Sequence, residues 1–583
     1  MRQFAAAFLL LTLPTLVAAA GKQTQKREPD LCVVPPGAQP LLPAKLLPGM
    51  GETRNFAVTT ASEDARRFFL QGVSQIHSFW FTEAERSCLQ AADLDPQMAM
   101  AYWCIALSAA GDYRPAFQLM RDPNDGGRAG ATRDTGDTVQ RSTNGAAINP
   151  ALRAREAIQK ALSLRDGITP RERLYIESQA ARRLTSDHDQ AEEAYIHGLR
   201  KLVAAYPDDL DAKSMLGLAL DNGFEPATKE PRAHTMEAIR LLEDVAARDD
   251  SHFGAHHYLI HAWEGSRTPE RAWHACERYA ALVTNIPHAL HMPGHIYAQS
   301  DKVPEAIAAF TAAADNELTW MNADSLYSNG HHGHNVHFLI HALNLGGKYQ
   351  DSIRQARHLL TLRETPRERS GNSQRIAWRQ GYFGLIKTLV RFERWADILD
   401  GRTIPLYDRP EQNAWRRWAT GLAYAATGDL ERAKTTLADL EKDSDQATAT
   451  REAIRIAAIE LEAAIAGRGG DRGKAYGLFR KAATREANMP YTEPPSYPRP
   501  VVEGFANVAL AVGDFATAEQ EYRAALEREP GSGRALFGLA AALDGLGRTA
   551  EAADAQARAA RAWANADPDL PQLQHLRASS AAR

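Results

Sequence analysis

A chain of 583 residues is too long for one hydrophobic core, so the way it repeats itself decides what it can fold into. The repeat is legible in its small residues. Gly513, Ala518 and Ala525 are followed 34 residues later by Gly547, Ala552 and Ala559. Small side chains at fixed places on two successive helices let their backbones approach, and stacked pairs then bury a continuous core. Ala is abundant and β-branched runs are scarce, which favours helix over sheet.

A 34-residue period with small or apolar residues at set offsets and a closing proline is the grammar of the tetratricopeptide unit. Setting Pro96 at position 32 puts Gly72 at 8, Ala84 at 20 and Ala91 at 27. Tyr522 and Pro530 fall on signature positions near the other end, and further units read at 413–444 and, more faintly, at 376–400 and 451–485. The expected fold class is therefore all-α, a tetratricopeptide-repeat solenoid of antiparallel helix pairs. Its expected segments are an extended Pro-rich arm at 21–60, N-terminal units at 61–120 and a loop insertion at 121–149. Units at 150–366 carry the histidines, followed by similar units at 367–488, a Pro-rich crossing at 489–500, a C-terminal pair at 501–567 and a tail at 568–583.

The N-terminus reads as a targeting segment. Arg2 precedes an apolar run from Phe4 to Val17, and Ala18, Ala19 and Ala20 supply the small residues of a cleavage site, so 1–20 is expected to be a signal peptide. The mature protein is expected in the periplasm or outside the cell, with no later stretch able to span a membrane. Lys and Arg number 68 against 72 Asp and Glu, which speaks against a nucleic-acid partner. None of the four cysteines forms a CxxC, so a thiolate zinc site is not indicated. Cys88 and Cys104 lie on neighbouring helices; their spacing does not decide a disulfide, and burial as small apolar residues is the expected account.

Thirteen of nineteen histidines lie between His252 and His341. The repeat register orders them. With Ala306 at position 20, His288, His291 and His295 take positions 2, 5 and 9 of one first helix. Registering the next unit from Gly347 puts His334, His337 and His341 at 2, 5 and 9 again. One unit earlier, His257 and His261 fall at 5 and 9, and Glu264 at 12. At roughly 100° per residue, offsets of 3 and 7 keep three side chains within about 60° of one another. First helices stand side by side along the concave groove, so eight imidazoles and one carboxylate are expected to converge there.

Clustered imidazoles cannot all be protonated, so most keep a nitrogen lone pair, which suits Cu, Zn, Fe or Ni. His257, His261, His288, His291, His295, His334, His337 and His341 are the expected ligands of a transition metal, copper first, with zinc or iron as alternatives. The ligand set is nearly all imidazole, which favours copper and a metal-dependent oxidase or oxygenase acting on a small organic substrate. Two rivals stand beside it: a scaffold binding a protein or peptide segment in the groove, and a zinc hydrolase or metal storage or delivery protein. In the hydrolase reading Glu264 is the catalytic base. Asp315, Asn316 and Asn335 are candidate partners that orient imidazoles. His256 falls on the packing face, His331 and His332 precede the third helix, and His252, His274 and His358 read as peripheral.

The strings "HHYLIHAWE", "HALHMPGHIYAQ", "HNVHFLIHAL", "RFERWADIL" and "EPPSYPRPV" resemble a bacterial family of exported tetratricopeptide proteins, from about Phe68 onward. The resemblance implies the fold and a site at His257, His261, Glu264, His288, His291, His295, His334 and His337. It does not imply a reaction. Met98 departs from the family, which often has Cys there.

Overall fold

The computed structural model describes residues 43–53, 56–110, 140–141, 147–148, 150–323, 329–362, 376–407, 410–446, 451–489, 495, 497–570 and 573. The expected signal peptide, the start of the arm and nearly all of the 121–149 insertion lie outside them; of the insertion, only two short strands, Gln140–Arg141 and Ala147–Ile148, are described. No described helix is long and apolar enough to cross a membrane.

The described residues form twelve helix pairs. The first four are α1 (Glu63–His77) with α2 (Phe81–Leu94), α3 (Ala99–Ala110) with α4 (Pro150–Ser163), α5 (Pro170–Leu184) with α6 (His188–Ala205), and α7 (Leu210–Leu220) with α8 (Thr235–Arg248). Next come α9 (Phe253–Trp263) with α10 (Trp273–Leu282), α11 (Pro287–Gln299) with α12 (Val303–Ala323), α13 (Asn329–Leu345) with α14 (Tyr349–Thr361), and α15 (Ile376–Arg391) with α16 (Trp395–Leu399). The last four are α17 (Pro410–Thr427) with α18 (Leu430–Gln446), α19 (Arg451–Arg468) with α20 (Arg472–Ala487), α21 (Val501–Ala511) with α22 (Phe515–Arg528), and α23 (Gly533–Gly545) with α24 (Thr549–Ala562). The chain is a tetratricopeptide solenoid.

Local chemistry sets the helix ends. Thr169 and Glu172 form a reciprocal capping box at the start of α5, and Asp187, Asp209, Asp471, Asp514 and Ser532 each accept a backbone N–H at an N-terminus. Where two helices must meet closely, the small residue is required. A Cβ on Gly294 would lie 2.6 Å from the Phe310 ring, so only glycine seats α11 directly on α12.

Two sets of long-range contacts are not revealed by the repeat alone. The described arm residues, 43–53 and 56–60, lie against the first helices: Leu47 N–H donates to Gln71 (2.7 Å), Thr59 Oγ1 to Glu172 (2.7 Å), and Phe56 is buried among Phe69, Trp103 and Tyr175. The chain thus fills its own groove over the first units. At the other end the last units turn back onto the middle ones. Trp563 Nε1–H donates to the Leu345 carbonyl (3.0 Å), Asp567 N–H to that of Gly347 (3.1 Å), and Arg391 on α15 pairs with Glu503 and Glu529. Of the expected Pro-rich crossing, Pro495 is exposed while 497–500 are buried, and Tyr497 donates to Glu460. Within the expected tail, Leu570 and Leu573 pack with Trp563.

Cys88 and Cys104 are joined as a disulfide, with Cα atoms 5.7 Å apart, where the sequence reading expects two buried thiols. Antiparallel packing of α2 on α3 brings them to the same level, beside Gly72. Replacing both with serine is expected to lower unfolding free energy by about 3 kcal/mol, the entropy of closing a loop of this size. Urea denaturation measures it, and an unchanged midpoint would show that the thiols are not linked.

Candidate metal centre

Three neighbouring first helices supply the histidines. α9 presents His257 and His261 one turn apart, α11 presents His288, His291 and His295, and α13 presents His334, His337 and His341. α11 stays helical through Pro293. They do not converge as one set of eight. Six of them form two trios: His257, His261 and His288, and His291, His295 and His334. Within each trio the candidate ligand nitrogens lie within 4.8 Å of one another. Each trio joins positions 5 and 9 of one helix to position 2 of the next.

The nitrogens face each other. His257 Nε2 is 3.0 Å from His261 Nε2 and 3.1 Å from His288 Nε2, and His291 Nε2 is 2.6 Å from His295 Nε2. Bonds of about 2.0–2.1 Å to a four-coordinate ion would set such nitrogens about 3.3 Å apart. The far sides of two rings are already engaged. His257 donates through Nδ1 to the backbone carbonyl of His77, and His295 through Nδ1 to Glu264 Oε1. Each bond fixes the tautomer that leaves Nε2 as a bare lone pair turned into its trio.

Glu264 is buried just past the end of α9 and serves both trios. Oε1 accepts from His295, and Oε2 lies 3.5 Å from His261 Nδ1. It therefore stands behind the imidazoles, on their Nδ1 side, and not in the space between the ligand nitrogens where the sequence reading put a catalytic base. The trios are themselves neighbours, with the His288 and His291 rings 6.4 Å apart.

Aromatic walls dry the site. Phe79, held at φ 53° between α1 and α2, lies 4.5 Å from the His257 ring and 5.3 Å from His261. Phe338 sits 4.3 Å from His295 and 4.9 Å from His291, and Phe310 4.9 Å from His291. Burial, and then the neighbouring imidazoles, hold His257, His288 and His291 well below the ordinary histidine range. All three stay neutral at physiological pH, the state a metal requires.

That shift has a consequence for stability. In the unfolded chain these histidines take up protons below about pH 6.5, while in the folded, metal-free protein they resist doing so. The unfolded state then binds more protons, and stability falls as pH drops below about 6.5. Urea midpoints of chelated protein at pH 7.5 and 5.5 are expected to show this fall, and a His257→Gln, His291→Gln double variant to flatten it.

Two expected ligands stand apart. His337 donates through Nδ1 to Gln380 Oε1 on α15, the next unit, and His341 Nε2 is 3.9 Å from Glu529 Oε1, just past α22 in the C-terminal units. The sequence reading also missed Glu317 on α12. It is fully buried, accepts from His331 Nδ1 (3.0 Å) and Asn335 Nδ2 (2.5 Å), and so braces the start of α13. Asn335 is thus tied to Glu317, Asn316 to Asn285, and Asp315 is exposed. His332 faces His358, with Nε2 atoms 3.1 Å apart. His77, an isolated histidine in the sequence, contacts Tyr258 and Asp211 while its carbonyl holds His257. On its other side a cavity of about 530 Å³ is lined by Asp211, His252 and the arm residues Glu52 and Thr53.

No family model matches the chain, and no curated protein does. Solved structures do match. The human IFIT1 dimer with m7Gppp-AAAA is similar over 87% of this chain and 92% of its own, at 12% identity and a TM-score of 0.31. A monomeric IFIT1 mutant with Gppp-AAAA is similar over 86% and 91%, with the same identity and TM-score. At such values neither ligand carries over to this chain.

Proposed function

We propose that this protein is an exported metalloprotein holding two transition-metal ions, one in each tri-histidine set, and that it is an oxidoreductase acting on a small organic substrate at the inner face of the solenoid. One observation carries the reading: twice in succession, positions 5 and 9 of one helix and position 2 of the next bring three imidazole nitrogens within 4.8 Å of one another, grouped as the ligands of one ion would be. Surface histidines met by chance would not repeat this arrangement, nor would His257 and His295 each be tied off through Nδ1 behind it.

Copper suits the site best. Six imidazoles with carboxylates only behind them are ligands of intermediate softness, and copper heads the affinity order for nitrogen sites. When bound, a pair of copper ions supplies one-electron steps and dioxygen binding. The chain's own residues hold the imidazoles in their ligating tautomers through Glu264 and the His77 carbonyl, and exclude water with Phe79, Phe310 and Phe338. The Cys88–Cys104 disulfide accords with an oxidising compartment. The peptide-scaffold reading loses ground, because the arm already occupies the groove of the first units.

The test is metal analysis of the purified mature chain after loading with Cu, Zn and Fe in turn, followed by oxygen uptake with phenolic and amine reductants. Two ions per chain, with copper retained most tightly and oxygen consumed, is the expected result. No stoichiometric metal would end the proposal, and two tightly held zinc ions without oxygen uptake would replace the oxidoreductase with a hydrolase or carrier.

A further inference from the structure

The arrangement that builds the two trios recurs once more with different residues. The partner helices of α11, α13 and α15 open at Val303, Tyr349 and Trp395, a constant step of 46 residues. The turns before them carry Asp301, Gly347 and Glu393 at the same place, all at positive φ (64°, 72° and 53°). In this register position 2 is His288, then His334, then Gln380. Position 5 is His291, His337 and Phe383, and position 9 is His295, His341 and Lys387. Joining positions 5 and 9 of α13 to position 2 of α15 therefore assembles His337, His341 and Gln380, and Gln380 does meet His337.

Here the chemistry reverses. Gln380 brings no imidazole lone pair, and Lys387 adds an ammonium, so the set is hostile to a metal cation. Lys387 is only 1% exposed, and its Nζ has no hydrogen-bond partner among the described residues. The carboxylate whose charge bears on it, Glu529, is already bound by both terminal nitrogens of Arg391, which also holds Glu503. His337 Nε2 and His341 Nδ1 are likewise buried without a partner. Buried polar atoms are nearly always satisfied, and three left open together mark a place where a ligand or water belongs. A flat wall stands beside them: the Phe383 ring is 5.4 Å from His337 and 5.1 Å from Trp415. Burial also lowers the Lys387 amine to about 7, so an arriving anion would complete its charging.

We propose that Lys387, with His337 and His341, anchors the anionic oxygen group of a small aromatic acid, one repeat along the inner face from the His291, His295 and His334 trio. The inference rests on the metal centre only in calling that acid the substrate; the anion site itself needs no metal. A carboxylate and a phosphate share this chemistry, and the probes separate them.

Metal-free protein is titrated by calorimetry with benzoate, inorganic phosphate and benzylamine, for the natural chain and for Lys387→Met. Methionine matches lysine in length and removes a lone buried charge, so the variant is expected to melt no lower than the natural protein. Benzoate is expected to bind the natural chain and at least tenfold more weakly to Lys387→Met, while benzylamine does not bind and the variant keeps two metal ions when loaded. Tighter binding of phosphate than of benzoate would assign the group as a phosphate and uphold the anchor. Equal benzoate affinity in both proteins, absence of anion binding, or a variant that melts lower and loses metal would overturn it. A natural chain that binds benzoate but no metal would leave the anchor standing and remove the metal centre.

Discussion

Replacing His334 by alanine is expected to leave one metal ion per chain where two are proposed for the natural protein, while replacing His337 by alanine is expected to leave both. The two residues are one turn apart on α13 and look equivalent in sequence, each heading part of the same H-x2-H-x3-H string. Only His334 leans toward α11, its ring 5.1 Å from His291, and completes that trio. His337 looks the other way, to Gln380 and Phe383. With His334 gone, two imidazoles remain for the second ion, and the loss of a direct ligand should exceed the roughly 10–100-fold that an outer partner is worth. Mass spectrometry of loaded, desalted protein counts the ions. Equal losses in the two variants would mean that the histidines act as one undivided patch, and the division into trios would fall.

A subtler change should touch both ions at once. Glu264→Gln keeps the size and burial of the side chain, yet an amide presents one acceptor and one donor where the carboxylate presents two acceptors. Since Glu264 meets His295 from one trio and His261 from the other, one of those Nδ1–H groups would face an N–H instead of an oxygen, and the other would face a neutral acceptor instead of a charged one. The first ring must then turn or change tautomer, withdrawing Nε2 from the metal, and the second becomes a weaker ligand base. Both sites are expected to weaken by about 10–100-fold, the usual cost of losing a partner behind a ligand. Competition with a chromophoric chelator measures each affinity. Weakening at one site alone would show that the carboxylate is not shared, and unchanged affinities would make it a packing residue.

Much of this was legible in the chain itself. The helix pairs follow from Gly and Ala at fixed offsets, because close approach of two helices is a local demand that a single residue meets or fails. The same register put His257, His261, His288, His291, His295 and His334 on inward-facing helix positions, and the structure brings those six together. His337 and His341 obey the identical sequence rule and end elsewhere. Nothing local distinguishes them, since what separates them is whether the next helix offers His334 or Gln380. Glu317 was invisible for a related reason: its partners His331 and Asn335 lie on another helix.

The sequence by itself determined the helices, their pairing and the face each histidine occupies, since all three are set by a period of 3.6 residues and by side-chain size over one or two turns. Tertiary structure decided which faces meet. The stagger between neighbouring first helices set position 2 against positions 5 and 9 and so split one histidine stripe into two trios. The curvature of the whole array brought Trp563 back to Leu345 and laid the arm against its first units. Stagger and curvature accumulate from many small packing contacts between residues far apart in the chain, and no single position in the sequence encodes them.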